Sequence, residues 1–198
     1  MLNELLKDHH IILASGSPRR QQFFKDLNLD FSIELKEIEE IYPKHLVAAE
    51  IPCYLSKLKA KAFENSLRPH DILITSDTIV WHNATALGKP KSLEEAKSMI
   101  ATLSGSTHEV ITAICFSTTT TTKTVFHSTQ VTFADLQPVA IDYYVDTYKP
   151  LDKAGAYGIQ EWIGLIGITK VVGSYFNVVG LPTHLVYETL MELANSAI

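Results

Sequence analysis

The sequence predicts an α/β fold, a mixed twisted sheet flanked by helices, and three features predict it. Short apolar runs bounded by turn residues recur, from "IILA" at 11–14 to "VITAICF" at 110–116, which is how buried strands read. Between them lie stretches with apolar residues at helical spacing, such as Ile51, Leu55, Leu58 and Ala62, the stripe of a helix that covers a sheet. Two long strand candidates flank a Thr-rich tip, and such a hairpin adds antiparallel pairing to an alternating strand and helix order. At 198 residues the chain suits one domain, 1–198, or one elongated domain of two lobes.

The elements follow in chain order. Ile11 to Ala14 is a buried strand before a small-residue turn. Ser17 can cap a helix whose first residue is Pro18, where the missing N–H costs nothing. Phe23, Phe24 and Leu27 give that helix an apolar face. Phe31 to Leu35 reads as a second strand, followed by the acidic "KEIEEIYP". A helix covers 51–63, and "DILITSDTIV" is an apolar strand interrupted by Asp77. In "SLEEAKSMIATLSG", Ser92 caps a helix, Glu95 completes a capping box and Gly105 stops it. Strands at 110–116 and 124–133 frame the tip at Thr118 to Thr122, whose β-favouring, polar composition suits an exposed hairpin. "IDYYVDTY" is a helix ended by Pro150, a glycine-punctuated segment runs from Gly155 to Gly180, and an amphipathic helix follows from about Thr183 to Ala194.

Composition narrows the function. A net charge of -5 provides no general attraction to nucleic acid or an anionic membrane. Any bound anion must therefore meet a local cluster of Lys and Arg. Cys53 and Cys115 are far apart, form no metal-site spacing and read as small core residues of a reducing compartment. The first ten residues lack a basic and then apolar leader pattern, and no apolar run approaches ~20 residues. The expectation is a soluble, cytoplasmic protein without nucleic-acid or membrane partners.

Five stretches could carry chemistry. In "IILASGSPRRQQFF" a strand, a small turn and a helix N-terminus present backbone N–H groups, and Arg19 and Arg20 add forked donors suited to phosphate. The plainer reading is a capped helix with two solvated arginines. It is not a Walker loop, because the Gly-Lys-Ser/Thr end is absent. Asp77 sits near the end of an apolar strand, where a carboxylate is costly unless exposed or paired. It suits a metal or a water-activating role, or a turn bond. Lys89 lies in "LGKPKS", its backbone restricted by Gly88 and Pro90. In "YLSKLKAKAF", at ~100° per residue, Lys59 and Lys61 flank the apolar stripe while Lys57 points away, and periodicity does not choose between the pair. In "LDKAGAYGIQEWIG", small residues and Tyr157 could wall a pocket ending in Gln160, whose amide both donates and accepts. The eight histidines show no ligand spacing. The adjacent pair His9 and His10 falls in a terminus expected to be mobile.

Taken in order, "LASGSPRR", "EE" before "YP", "LSKLKA", "SDTIV", "LGKP", "LSGSTHEVITA", "DKAGAYGIQ" and "GSYFNVVGLP" resemble the Maf family of nucleoside triphosphate pyrophosphatases over almost the whole chain. The final pair resembles the branch acting on dTTP and UTP. The resemblance implies an elongated two-lobed single domain with a cleft, like that of inosine triphosphate pyrophosphatases. It further implies hydrolysis of the α–β phosphoanhydride with Mg²⁺ or Mn²⁺, and a homodimer. By position, Asp77 matches the proton acceptor for water, and Glu40, with Asp77, a metal-side acid. Arg19, Arg20, Lys59 and Lys89 match the basic groups around the triphosphate, with Ser15 and Ser17 in the same opening motif. Arg19, Thr78 and Gln160 match positions linked to substrate choice. The family pattern selects Lys59 over Lys61.

Three departures stand out. Glu161 occupies a family glycine position and puts a charge beside the implied base pocket, Leu58 replaces a commonly polar residue, and the Thr-rich tip looks particular to this lineage. Two competing readings are a purine-directed pyrophosphatase of related architecture, against which the Gly-Ile-Gln setting of Gln160 argues, and a nucleotide-binding regulator without turnover. Retention of Glu40, Asp77, Lys89 and both arginines argues against the second.

Overall fold

The computed structural model describes residues 2–196. The chain runs α1 (Leu2–Leu5), β1 (His10–Leu13), α2 (Pro18–Asp26), β2 (Phe31–Ile33), α3 (Glu50–Lys61), β3 (Asp71–His82), β4 (Thr85–Leu87), α4 (Leu93–Leu103) and β5 (Thr107–Ser117). It continues with β6 (Thr122–Phe133), α5 (Pro138–Tyr148), a 3-10 turn (Ala154–Ala156), α6 (Trp162–Gly167), β7 (Ile168–Val172), α7 (Tyr175–Val179) and α8 (Thr183–Ser196). The fold is mixed α/β. Seven strands form a sheet of order β2-β1-β3-β5-β6-β7, with β4 paired to β3. β1 is parallel to β2 and β3, whereas β4 and β7 run antiparallel to β3 and β6.

The chain divides into two compact units. Among the described residues the first comprises 2–77, 112–126 and 180–196, and the second 78–111 and 127–179. In the first, the two-residue period of strands sorts side chains between two helix layers. Ile11, Leu13, Ile72, Ile74, Ile114 and Phe116 join Phe24 of α2 and Leu190 of α8 in one cluster. The intervening Ile12, Leu73 and Cys115 pack instead with Ala60 and Phe63 at the end of α3. This alternation places Thr75 on the α3 side, where its Oγ1 donates to the Ser56 carbonyl at 2.7 Å. Two residues on, Asp77 reaches Lys59, which lies one helical turn beyond Ser56.

In the second unit α4 and α5 pack together through Ile100, Leu103, Ile141 and Tyr144, over Val80, Val131 and Phe133. Ser92 caps α4 by accepting from Glu95 N at 3.1 Å. The carboxylate of Glu95 returns to Lys91 N at 2.7 Å rather than to Ser92 N, so the box closes one residue early. Gly105 follows the helix at φ 63°, where a side chain would meet Asp135.

Several sequence expectations change. The N-terminal segment is built into the core: Leu2 and Leu6 are buried, and His10 lies in β1 with its ring between Asp71 and Ser32. β2 stops at Ile33, because β1 ends opposite it at Leu13 and Leu35 projects into solvent. The short β4, β7, α6 and α7 give no periodic apolar signal, and β7 is largely exposed along its length. The Thr-rich tip is the expected hairpin turn, with Thr118 N donating to the Thr121 carbonyl at 2.9 Å. Among the described residues no helix is long and apolar enough to cross a membrane.

Candidate functional site

The first unit holds most of the expected residues. Ser15 is buried, its Oγ accepts from Ser17 N at 3.3 Å, and its carbonyl accepts from Gln21 Nε2 at 3.1 Å, which ties the turn to the helix behind it. Ser17 occupies the cap position with Pro18 next, but its side chain makes no cap bond. The two arginines are not equivalent. Arg20 donates from Nε to the Gly180 carbonyl and from Nη1 to the Ser76 carbonyl, both at 2.9 Å. It therefore braces the turn before α8 against the end of β3 and is not a solvated helix charge. Arg19 is half-buried on the first turn of α2.

Lys59 is the hub. Its Nζ lies 2.6 Å from Asp77 Oδ1 and 3.0 Å from Glu40 Oε1, with the Ser76 carbonyl at 3.4 Å. Lys61, the other residue flanking the stripe, is exposed. Glu40 comes from the loop before α3 and is exposed, whereas Asp77 retains only 7% of its surface. Burial pushes the Asp77 carboxyl above the ordinary carboxylate range; Lys59 and Arg20 pull it back and Glu40 adds to the rise. Desolvation outweighs the two cations here, which makes Asp77 a readier proton acceptor than a surface aspartate once ionised.

Glu40 and Asp77, drawn to one ammonium, are two hard oxygen donors. Among the described residues no group of three or more His, Cys, Asp or Glu stands together as a metal cage. That donor set fits a small hard cation completed by phosphate oxygens and water, the usual way of holding Mg²⁺.

The second unit contains Thr78, Lys89 and Gln160. Thr78 is half-buried on β3, and Lys89 is exposed between Gly88 and buried Pro90. The Gly88 carbonyl accepts from Gly155 N at 3.0 Å, which ties the lysine loop to the 3-10 turn. Gly155 has φ 67°, and a Cβ there would stand 2.7 Å from Val80 Cγ2. Gln160 is exposed in the turn closed by Glu161 N donating to the Gly158 carbonyl at 3.0 Å. Tyr157 is buried against Phe133, with its hydroxyl 2.7 Å from His108 Nε2. Burial, helped by His82, pushes His108 down to about 4, so this pair is neutral at physiological pH.

Glu161 keeps its charge in a paired setting. Its carboxylate is not a loose charge: Oε1 lies 3.0 Å from Lys153 Nζ, and Oε2 accepts from the Tyr144 hydroxyl. Lys153, only 8% exposed, also meets Asp152 at 2.7 Å. Sequence reading missed this network. Lys153 and Glu161 are eight residues apart across a non-helical stretch, and Tyr144 lies on another helix, so no local spacing announces them.

Residues 10–193 match the family model described as Maf-like protein. The dTTP/UTP pyrophosphatase of Flavobacterium johnsoniae is 61% identical over 193 residues, covering 98% of this chain and 100% of its own. That of Christiangramia forsetii is 58% identical over 196 residues, covering 99% and 100%. Among solved structures, a nucleoside-triphosphatase, dITP/XTP pyrophosphatase, from Mycobacterium abscessus aligns over 95% of this chain and 96% of its own, with 11% identity and a TM-score of 0.44, a likeness too loose to bear on substrate.

Proposed function

The chain belongs to the Maf family, and from that membership we propose that it hydrolyses the α–β phosphoanhydride of dTTP and UTP to nucleoside monophosphate and pyrophosphate. The activity rests on the close relatives of that name. The observation that carries the chemistry is Lys59 held between the buried Asp77 and Glu40.

Asp77 is assigned the proton acceptor. One carboxylate oxygen is fixed by Lys59, leaving the other to orient a water for attack on the α-phosphorus and take its proton. As the new P–O bond forms, the bond from the α-phosphorus to the bridging oxygen breaks and pyrophosphate leaves with the extra negative charge. Lys59, Arg19 and Arg20 stabilise that charge. Ser15 and Ser17 shape the turn that presents backbone N–H groups to phosphate. Glu40 is the side chain left to hold Mg²⁺ or Mn²⁺, with Asp77 beside it, and the ion when bound would supply Lewis-acid neutralisation of the triphosphate. The roles of Thr78, Lys89 and Gln160 toward the substrate rest on the motif match: Thr78 and Gln160 with base choice, Lys89 with phosphate.

We read the enzyme as cytoplasmic and acting on free nucleotide, since a net charge of -5 favours neither nucleic acid nor anionic membrane. A homodimer follows from the family resemblance.

The test is product analysis with Mg²⁺ or Mn²⁺ across the common ribo- and deoxyribonucleoside triphosphates and dITP. Monophosphate and pyrophosphate from dTTP and UTP, with little from ATP or GTP, is the expected result. Diphosphate and phosphate would overturn the bond assignment. Binding without any release would favour a non-hydrolytic regulator, and turnover of dITP in preference would favour the purine-directed class.

A further inference from the structure

Gln160 poses a physical problem for base choice. A carboxamide carries a donor and an acceptor side by side, and turning it over exchanges them. Thymine and uracil present a donor at N3 beside an acceptor at O4, whereas cytosine presents the reverse pattern. A freely turning amide could pair with either. The amide turns about its own terminal bond without any backbone movement, so what the turn can hold is the distance and angle at which Gln160 meets the base, and with them how well each pattern is fitted.

The second unit contains a device for that. Fully buried Tyr144 accepts at its hydroxyl from Gly158 N at 3.1 Å and donates to Glu161 Oε2. Burial, the Glu161 bond and its charge all push this phenol's pKa up, so the proton stays on Tyr144. The other Glu161 oxygen meets Lys153, and Glu161 N closes the turn on the Gly158 carbonyl. Both ends of Gly158–Ile159–Gln160–Glu161 are thus fixed to one buried phenol and one carboxylate. A Cβ at Gly158 would lie 2.9 Å from the Glu161 carboxylate and 3.1 Å from Lys153 Cε, so the absence of a side chain there is what admits the network.

We propose that Glu161, through Tyr144 and Lys153, is a positioning residue that sets the distance and angle at which Gln160 meets the base and thereby the discrimination between thymine or uracil and cytosine. This deepens the proposed function and rests on its reading of Gln160. The same ion pair engages Lys153 with Glu161, so this lysine supports the turn that carries Gln160.

The experiment compares kcat and KM for dTTP and dCTP in the wild type, Glu161→Gln, Glu161→Ala, Gln160→Ala and the Gln160→Ala/Glu161→Ala double variant. In parallel, hydrogen exchange of the Gly158 amide is followed without substrate. Glu161→Ala should lower the dTTP to dCTP ratio of kcat/KM about tenfold, mostly through KM for dTTP. Glu161→Gln should fall between, because its amide oxygen still accepts from Tyr144. The double variant should show the ratio of Gln160→Ala alone, since Glu161 acts through Gln160. The Gly158 amide should exchange about tenfold faster in Glu161→Ala. An unchanged ratio in Glu161→Ala, or independent losses in the double variant, overturns the proposal. A wild type without base preference would defeat the reading of Gln160 itself. Exchange still decides Glu161 in that case: unchanged protection of Gly158 in both variants overturns its positioning role.

Discussion

The Nζ of Lys59 lies 2.6 Å from Oδ1 of Asp77, yet burial still holds the Asp77 carboxyl above its ordinary range. The contact keeps a costly carboxylate usable, because an unpaired charge at that depth would simply take up a proton.

Replacing Asp77 by Asn should reduce turnover by roughly 10²–10⁴-fold, the range of general-base contributions, while nucleotide binding survives. The same change should raise the melting temperature. With its pKa raised on folding, Asp77 favours the folded state at low pH, and that contribution fades into a penalty as pH rises from the unfolded carboxylate value through the folded one. Asn carries no such penalty at neutral pH. Thermal unfolding and pyrophosphate release on one preparation test both halves, and wild-type turnover would remove Asp77 from the mechanism.

Lys59→Met keeps the apolar stem but takes away the ammonium shared by Asp77 and Glu40. The Asp77 carboxyl then rises further, and the acidic limb of the kcat/KM against pH profile should move upward by about one unit or more. A limb that stays in place would mean that a different group is titrating.

Arg20→Lys should cost stability as well as activity. A lysine cannot reproduce the two-pronged bond to the Ser76 and Gly180 carbonyls. The Ser76 carbonyl keeps Lys59, but leaving the buried Gly180 carbonyl unpaired costs about 1–3 kcal/mol. Denaturant unfolding measures this, and an unchanged midpoint would reduce Arg20 to a substrate contact.

Gly155→Ala should destabilise the second unit by roughly 1–3 kcal/mol, because φ 67° and the nearby Val80 Cγ2 both resist a side chain. Val80→Ala removes the clash and should recover part of the loss in the double variant. Independent losses would leave backbone strain as the sole cause.

Periodicity and turn chemistry made much of this molecule readable in one dimension. The α4 cap at Ser92, the stop at Gly105, the β5–β6 hairpin and the stripe of α3 are local effects, decided by residues within a turn or two of one another. The order of motifs, from the double arginine through Asp77 to Gln160, likewise identified the family without any coordinates. Exposed elements such as β7 escaped because their side chains face water and leave no apolar rhythm.

What only the tertiary structure decided is who touches whom across the chain. Arg20 is spoken for by carbonyls 56 and 160 residues away, and Lys59 meets Asp77 at a separation of 18. Glu161, which a linear reading leaves as a bare charge, is neutralised by Lys153 and bonded by Tyr144. The physical reason is that hydrogen bonds and ion pairs act over about 3 Å in space, a distance that residue spacing encodes within a helix or strand but not between them.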